Sequence, residues 1–420
     1  MAPSTLQTAL GLFGLVAVGL LVASLRLRGN LPAVLESLRI GRWHFFVAGC
    51  AAGFFLDSPG HPLHHTGSLQ RSLLAIGLTW VGFRAGLDFD FRQLRPLQRS
   101  VLGAELLRLS TTFVLVFAIC MGLARLLGTY LSIESGVHIF ALSAASIAVS
   151  ARLTGFISTI NARPTAPRSG PAAFAANPLA ICFLGLLFPA LAADQIRYMG
   201  PFLIVGYGPT LVVLLALGLL IGVTVDFALR ANRDGFRCTI LALAACAAFS
   251  GPSLQLDLPS IFIGFVGGVW VINTTVRKRE FTERAEFASG LVEPLLMGVF
   301  GALLVQDQSA VASDPGRIIL VALGLVILRG ASRTLGDAAS ILSLRRSTRV
   351  QMITEFAWLP MGRNSTAIVL QAAVLPVTFE DTGVLAGLLL AIALSQAVVL
   401  PIKGEIRRPA RMPGINGEQT

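Results

Sequence analysis

Residues 141–153 read ALSAASIAVSARL, and residues 356–371 read FAWLPMGRNSTAIVLQ. Both stretches lie within apolar runs, yet neither is filled with Leu and Ile as a plain buried helix would be. The first is built of small and hydroxylated residues, Ser143 and Ser146 among them. The second gathers Pro360, Gly362, Arg363, Asn364, Ser365 and Thr366 in mid-run. Pro and Gly interrupt the helical hydrogen-bond ladder. At membrane depth the freed N–H and C=O groups must be met by protein or by a water-lined cavity. These two unusual stretches, one of small and hydroxylated residues and one broken by Pro and Gly, decide how the rest of the chain is read.

The chain around them is 420 residues, 54% hydrophobic and 13% charged, with mean hydropathy +0.75. An ordinary soluble domain carries about 25% charged residues. Apolar runs long enough to cross about 30 Å of hydrocarbon recur from end to end. They predict thirteen spans, at roughly 5–25, 43–57, 69–87, 100–124, 136–151, 171–193, 201–227, 238–250, 258–275, 285–304, 318–342, 351–375 and 382–401. The first has neither a basic stretch before it nor a small-residue cleavage site after it, so it is expected to be a retained helix.

The net charge of +11 is a topology signal and not a nucleic-acid face. Alternate loops (26–42, 88–99, 152–170, 228–237, 276–284, 343–350 and the tail) hold 24 of the 33 Lys and Arg. The intervening segments hold at most four, Arg71, Arg125, Arg197 and Arg317. That alternation predicts an N-terminus outside and a C-terminus in the cytoplasm. The five cysteines show no paired spacing, and His61, His64 and His65 share an outside loop that reads as solvated. No cofactor, metal site or catalytic constellation is legible, so an enzyme is not expected.

The two interrupted spans are the fifth and the twelfth. An odd offset of seven points them in opposite directions, as inverted repeats require, and pairs spans 2–6 with spans 9–13. Broken helices at matching places in two inverted halves mark a transport site.

Here the chain resembles the monovalent cation:proton antiporter superfamily, in particular the bacterial sodium/proton and potassium/proton exchangers. The resemblance runs nearly end to end. It is carried by RIGRWHFFVAGCAAGFFLDSPG (39–60), LLAIGLTWVGFRAGLDFDFRQLR (73–95), SAASIAVSARL (143–153), IFIGFVGGVWVINTT (261–275) and EPLLMGVFGALL (293–304). It implies an all-α membrane protein, multi-pass in the bacterial inner (plasma) membrane and homodimeric, exchanging a monovalent cation (Na or K) for protons. It further implies scaffold helices at 1–95 and 236–305, a linking helix at 201–230, and core helices at 100–193 and 316–402 that shift across the bilayer. The basic tail 403–420 would follow in the cytoplasm.

An exchanger needs a group that takes either a proton or a cation, and a carboxylate at mid-membrane does so. The family carries one or two acids on its sixth helix. In the matching stretch GPAAFAANPLAICFLGLL (170–187) the acidic positions fall on Ala176 and Asn177, followed by Pro178. Asn177 offers a carbonyl oxygen to a cation but cannot release a proton. LRGASRTLGDAAS (328–340) resembles the helix that carries the family's basic residue. There Arg333 takes its position, with Arg329 one turn earlier and Asp337 one turn later. Arg363 matches a basic position beside the crossover. The chain has only two lysines, Lys278 and Lys403, and Arg stays charged, so the positive partner would be fixed.

Several carboxylates have a basic residue in helical register: Glu105 with Arg108, Asp226 with Arg230, Asp88 with Arg84. Glu293 and Glu355 have none, which makes Glu293 the candidate proton carrier. The expected transport site is therefore Ala176, Asn177, Ser143, Ser146, Arg333, Arg363, Asn364, Ser365 and Thr366. Three readings stay open: a cation:proton exchanger with a relocated proton carrier, a degenerate non-transporting or sensor-like protein, and a carrier of an anionic or neutral solute.

Overall fold

The computed structural model describes residues 43–56, 67–94, 99–126, 143–148, 170–191, 197–199, 202–204, 206–231, 235–275, 278–306, 315–343, 361, 363–374 and 387–395. The expected first span and the histidine loop lie outside these residues. The described helices are α1 (Trp43–Leu56), α2 (Gly67–Leu87), α3 (Phe91–Leu94), α4 (Arg99–Leu126), α5 (Gly170–Leu191), α6 (Tyr207–Ala231), α7 (Gly235–Gln255), α8 (Ser260–Thr274), α9 (Lys278–Gln306), α10 (Pro315–Ser343) and α11 (Arg363–Val374). Short helical stretches at 143–147 and 387–395 complete them. Five described helices (α4, α6, α7, α9, α10) contain stretches long and apolar enough to cross a membrane.

One departure from an all-α chain is a strand pair, β1 (Arg197–Met199) and β2 (Phe202–Ile204), antiparallel with Arg197 opposite Ile204. It displaces the expected start of the seventh span from 201 to Tyr207. The cause is local: Phe202, Leu203 and Ile204 pair as a strand, and Gly206 then turns the chain at φ +87°. Gly206 O accepts the Thr210 hydroxyl at 2.8 Å and starts α6.

Glycine seams decide which helices touch. A Cβ on Gly264 of α8 would sit 1.9 Å from Thr79 O of α2, and one on Gly82 of α2 would sit 1.9 Å from Ile261 O of α8. Gly86 and Gly268 extend the same seam, so α2 and α8 pack backbone to backbone. Gly49 and Gly53 of α1 meet Gly298 and Ala302 of α9 in the same way. A third seam joins α6 to α8, where Gly218 meets Val266 and Gly222 meets Trp270. The register of these contacts rises together in all three pairs, so the paired helices run parallel. α2 and α9 run antiparallel: Trp80 Nε1 donates to Ser289 Oγ at 3.1 Å, and Arg84 meets Glu286 further along.

α7 closes onto α8 through a left-handed Asp257 (φ 51°) and a Leu258 N–H to Ser253 O bond of 2.8 Å. Pro259 then opens α8, and Ser253 and Ser260 share a hydroxyl bond of 2.8 Å across the corner. On the other side of the molecule α10 packs along α4, with Gly336 of α10 against Arg108 and Thr112. α11 packs on α2, α5 and α8.

Candidate functional site at the broken helix

The stretch 143–147 is a helix that stops at Ala148, with all six residues 143–148 buried. A helix that ends inside a protein leaves its last carbonyls without intrahelical partners and carries partial negative charge there. Three such carbonyls are met from other elements. Arg329 Nε donates to Ser146 O at 2.9 Å, Arg333 Nη2 donates to Ile147 O at 2.9 Å, and Ser365 Oγ donates to Ala148 O at 3.2 Å. Ser146 Oγ donates back to Ser143 O at 2.6 Å.

The sequence positions explain this geometry. Arg329 and Arg333 are four apart, so they share one face of α10 and reach successive carbonyls. Both are buried, and a guanidinium donating to a carbonyl makes a charge-assisted bond stronger than a neutral one. Thus the end of the helix in the fifth span is held by α10 and by α11 of the twelfth span, the other stretch singled out from sequence.

Arg363 opens α11; its side chain lies outside those described, as does that of Asp337, so their expected contacts are not part of this geometry. Asn364, Ser365 and Thr366 are all buried. Asn364 Oδ1 is buried and has no hydrogen-bond partner among the described residues. Below α11, Met361 N–H donates to Ser395 Oγ at 3.2 Å and fastens the 387–395 stretch.

Asn177 and Pro178 are buried on α5, which touches α2, α4, α6, α8 and α11. Ala176 lies on the same helix with its side chain outside the described set. α5 meets α8 so closely that a Cβ on Gly185 would overlap the Phe262 ring. Glu293 is buried too, but on α9, which packs chiefly on α1, α2 and α7. It follows Ser289 by one turn on the stripe that faces α2, and Leu296 of that stripe lies against Gly77. The structure therefore gathers Ser143, Ser146, Arg333 and Ser365 into one cluster, with Asn364 and Thr366 on the helix that closes it. Glu293 belongs to a different packing group.

The expected pairs Asp226–Arg230 (2.8 Å) and Arg84–Asp88 are present. Arg84 Nε also reaches Glu286 of α9 at 3.1 Å, which sequence spacing could not show. At the end of α2, Asp90 binds Lys278 Nζ at 2.8 Å and accepts the Arg92 N–H at 3.0 Å. Burial pushes the Asp90 carboxyl up, but the Lys278 bond, the Arg92 N–H and both nearby charges outweigh it and hold it below its ordinary value. A residue missed from sequence is Gln371: buried on α11, its Oε1 accepts the Ile261 N–H of α8 at 3.0 Å. Its one signal was a lone amide inside the apolar run AIVLQAAVL (367–375).

No protein-family model matches this chain, and no curated protein does. Solved structures do match, 42 chains among them. One of them is the sodium proton antiporter MjNhaP1 from Methanocaldococcus jannaschii at pH 8, similar over 96% of this chain and 98% of that one, with a TM-score of 0.57 and 14% identity. At that identity the likeness is one of fold.

Proposed function

We propose that this chain is a secondary transporter that exchanges a monovalent cation, Na⁺ or K⁺, for protons by an elevator-like alternating-access movement in a bacterial inner membrane. The observation that carries the reading is the buried end of the 143–147 helix, gripped by Arg329, Arg333 and Ser365, with α11 also carrying a buried Asn364 oxygen that has no hydrogen-bond partner among the described residues. Neutral oxygens at Asn177, Asn364, Ser365 and Thr366 would ligate the cation. The two arginines hold the negative end of the broken helix as fixed charges. Glu293, buried on α9, would carry the proton from the framework side.

The domain division belongs to the same proposal. The core comprises 100–193 and 316–402, the scaffold 1–95 and 236–305, and the link 201–230. Helix pairing supports inverted repeats: under the exchange of spans 2–6 with 9–13, the parallel α1–α9 seam maps onto the parallel α2–α8 seam. The α4–α10 contact maps onto itself. A homodimer with thirteen spans and an external N-terminus completes the reading.

A second reading, a carrier of an anionic solute, is favoured by one observation. Arg108, Arg329 and Arg333 are buried on α4 and α10, whereas the buried carboxylates among the described side chains, Asp90, Asp226 and Glu293, all sit elsewhere. Proton flux in everted vesicles from an antiporter-deficient host separates the two. Na⁺, Li⁺ or K⁺ would be added at neutral to alkaline pH, with a pH-sensitive dye as reporter. Cation-dependent dye recovery with the native chain, lost in Glu293→Gln, is the expected result. Recovery only with Asn177→Asp would transfer the case to the second reading. Silence from both, with the protein shown to be in the membrane, would end the exchanger proposal.

A further inference from the structure

α8 begins without a cap of its own. Its N-cap is Pro259, which makes no side-chain hydrogen bond, and the first N–H groups of any helix lack intrahelical acceptors. Ile261 is fully buried, so water does not serve its N–H. The acceptor comes from 110 residues away: Gln371 Oε1 at 3.0 Å, from a side chain that is itself fully buried. Gln371 Nε2 has no partner among the described residues, so this bond is the amide's one anchor there.

α11 is thereby held at two places. Ser365 grips Ala148 O of the broken helix, and Gln371, about 9 Å further along the axis at 1.5 Å per residue, grips α8. Six residues turn the helix by about 240°, so the two grips leave different faces of α11, about 120° apart. Asn364 precedes Gln371 by seven residues and shares its face. The unpartnered Asn364 oxygen and the bond to α8 thus lie along one line of α11.

We propose that the Gln371–Ile261 hydrogen bond is a latch between the moving core and the fixed frame, made in one access state and broken in the other. The proposal rests on the transport reading and its division into core and scaffold. Its physics is simple. A bond of 3.0 Å tolerates only a few tenths of an ångström of stretch, so sliding of α11 along α8 by about one helical turn, about 5 Å, breaks it. The opened state then holds a buried N–H without an acceptor, which disfavours it by about tenfold. The latch lies on the face that carries Asn364, so the movement that uncovers this oxygen is the one that opens the bond.

The test uses the full-length chain in proteoliposomes, with amide exchange of the 256–264 segment as the first readout. The second readout is labelling of Asn177→Cys, in a background lacking the native cysteines, by a membrane-impermeant maleimide from each side. Gln371→Met keeps the side-chain length and removes the acceptor. Gln371→Leu, close to Gln in size and likewise without an acceptor, serves if the Met variant does not reach the membrane. The expected result is roughly tenfold faster exchange in Gln371→Met and a shift of about tenfold in the ratio of labelling between the two sides. Gln371→Glu, which keeps the acceptor, should restore both. Faster exchange with an unchanged ratio makes the bond a simple cap and overturns the latch alone. Unchanged exchange overturns it as well. An Asn177→Cys chain with Gln371 intact that labels from neither side overturns alternating access itself, and the latch with it.

Discussion

Single side chains hold the broken helix in place, and their worth follows from what each leaves behind. Ser365 is fully buried, and Ser365→Ala strips Ala148 O of its donor without adding bulk. An orphaned buried carbonyl costs about 1–3 kcal/mol, so unfolding in detergent should show a loss of that size. Ser365→Cys should recover only part of it, because a thiol is a weak donor. Asp90 makes a prediction in pH. Its carboxyl is held below its ordinary value in the folded chain, so its bond to Lys278 contributes fully above about pH 4, the unfolded value. The contribution fades as pH falls through the lower folded value. Asp90→Asn should therefore lower stability at neutral pH, by about 1.5–3 kcal/mol if the charged bond behaves as such bonds do elsewhere. The difference from wild type should shrink in acid. A gap that stays constant down to the lowest pH at which the protein stays folded would show that the pair is not responsible.

Between elements, glycine placement separates helices that must touch from helices that need not. Gly82, Gly86, Gly264 and Gly268 face backbone atoms at distances no Cβ can occupy, so the α2–α8 seam has no room to yield. Gly264→Ala should abolish folded protein or cost about 3 kcal/mol or more, by the overpacking of a close backbone contact. Gly103 of α4 and Gly324 of α10 have nothing within 4 Å of the same construction. Ala at either should be neutral or stabilising by up to about 1 kcal/mol, through better helix propensity. Detergent unfolding of the three variants side by side measures the contrast. The Gly-x-x-x-Gly spacings 49–53, 82–86, 218–222 and 264–268 were visible in sequence. Their partners were not, because small residues favour close approach without naming the surface approached.

For the molecule as a whole, the separation of Glu293 from the broken-helix cluster has a measurable consequence. α9 belongs with α1, α2 and α7, while α10 and α11 hold the 143–148 carbonyls. Glu293→Gln should remove pH-dependent flux and leave amide protection at 143–148 unchanged. Loss of that protection would place Glu293 in the same cooperative unit as Arg329 and Arg333. The outer faces of α4 and α10 point the same way on scale: only 33% of each apolar window is buried, against 61% for α9. α9 therefore sits inside the bundle, and the other two present Val114, Leu320 and Ile327 outward, toward lipid or a partner.

By itself the sequence determined what local chemistry controls. Apolar length marked α1, α2, α4, α5, α8 and α10 to within about three residues, because a run long enough to span hydrocarbon must close its own backbone bonds; it set the start of α9 seven residues late and the end of α7 five residues early, where charged or polar turns extend those helices. The sequence also singled out the stretches 141–153 and 356–371, which hold the helix that stops at Ala148 and the polar start of α11, because small, hydroxylated and amide residues in an apolar run are not ordinary filling. Short-range pairs such as Asp226–Arg230 followed from helical spacing. Only the tertiary structure decided which groups meet across more than one helix. Arg329 and Arg333 bind carbonyls some 180 residues away, which spacing along α10 could not show. Gln371 caps the start of α8 from 110 residues away. These bonds depend on where a whole helix is set down, and that position comes from the glycine seams and the packed faces acting together.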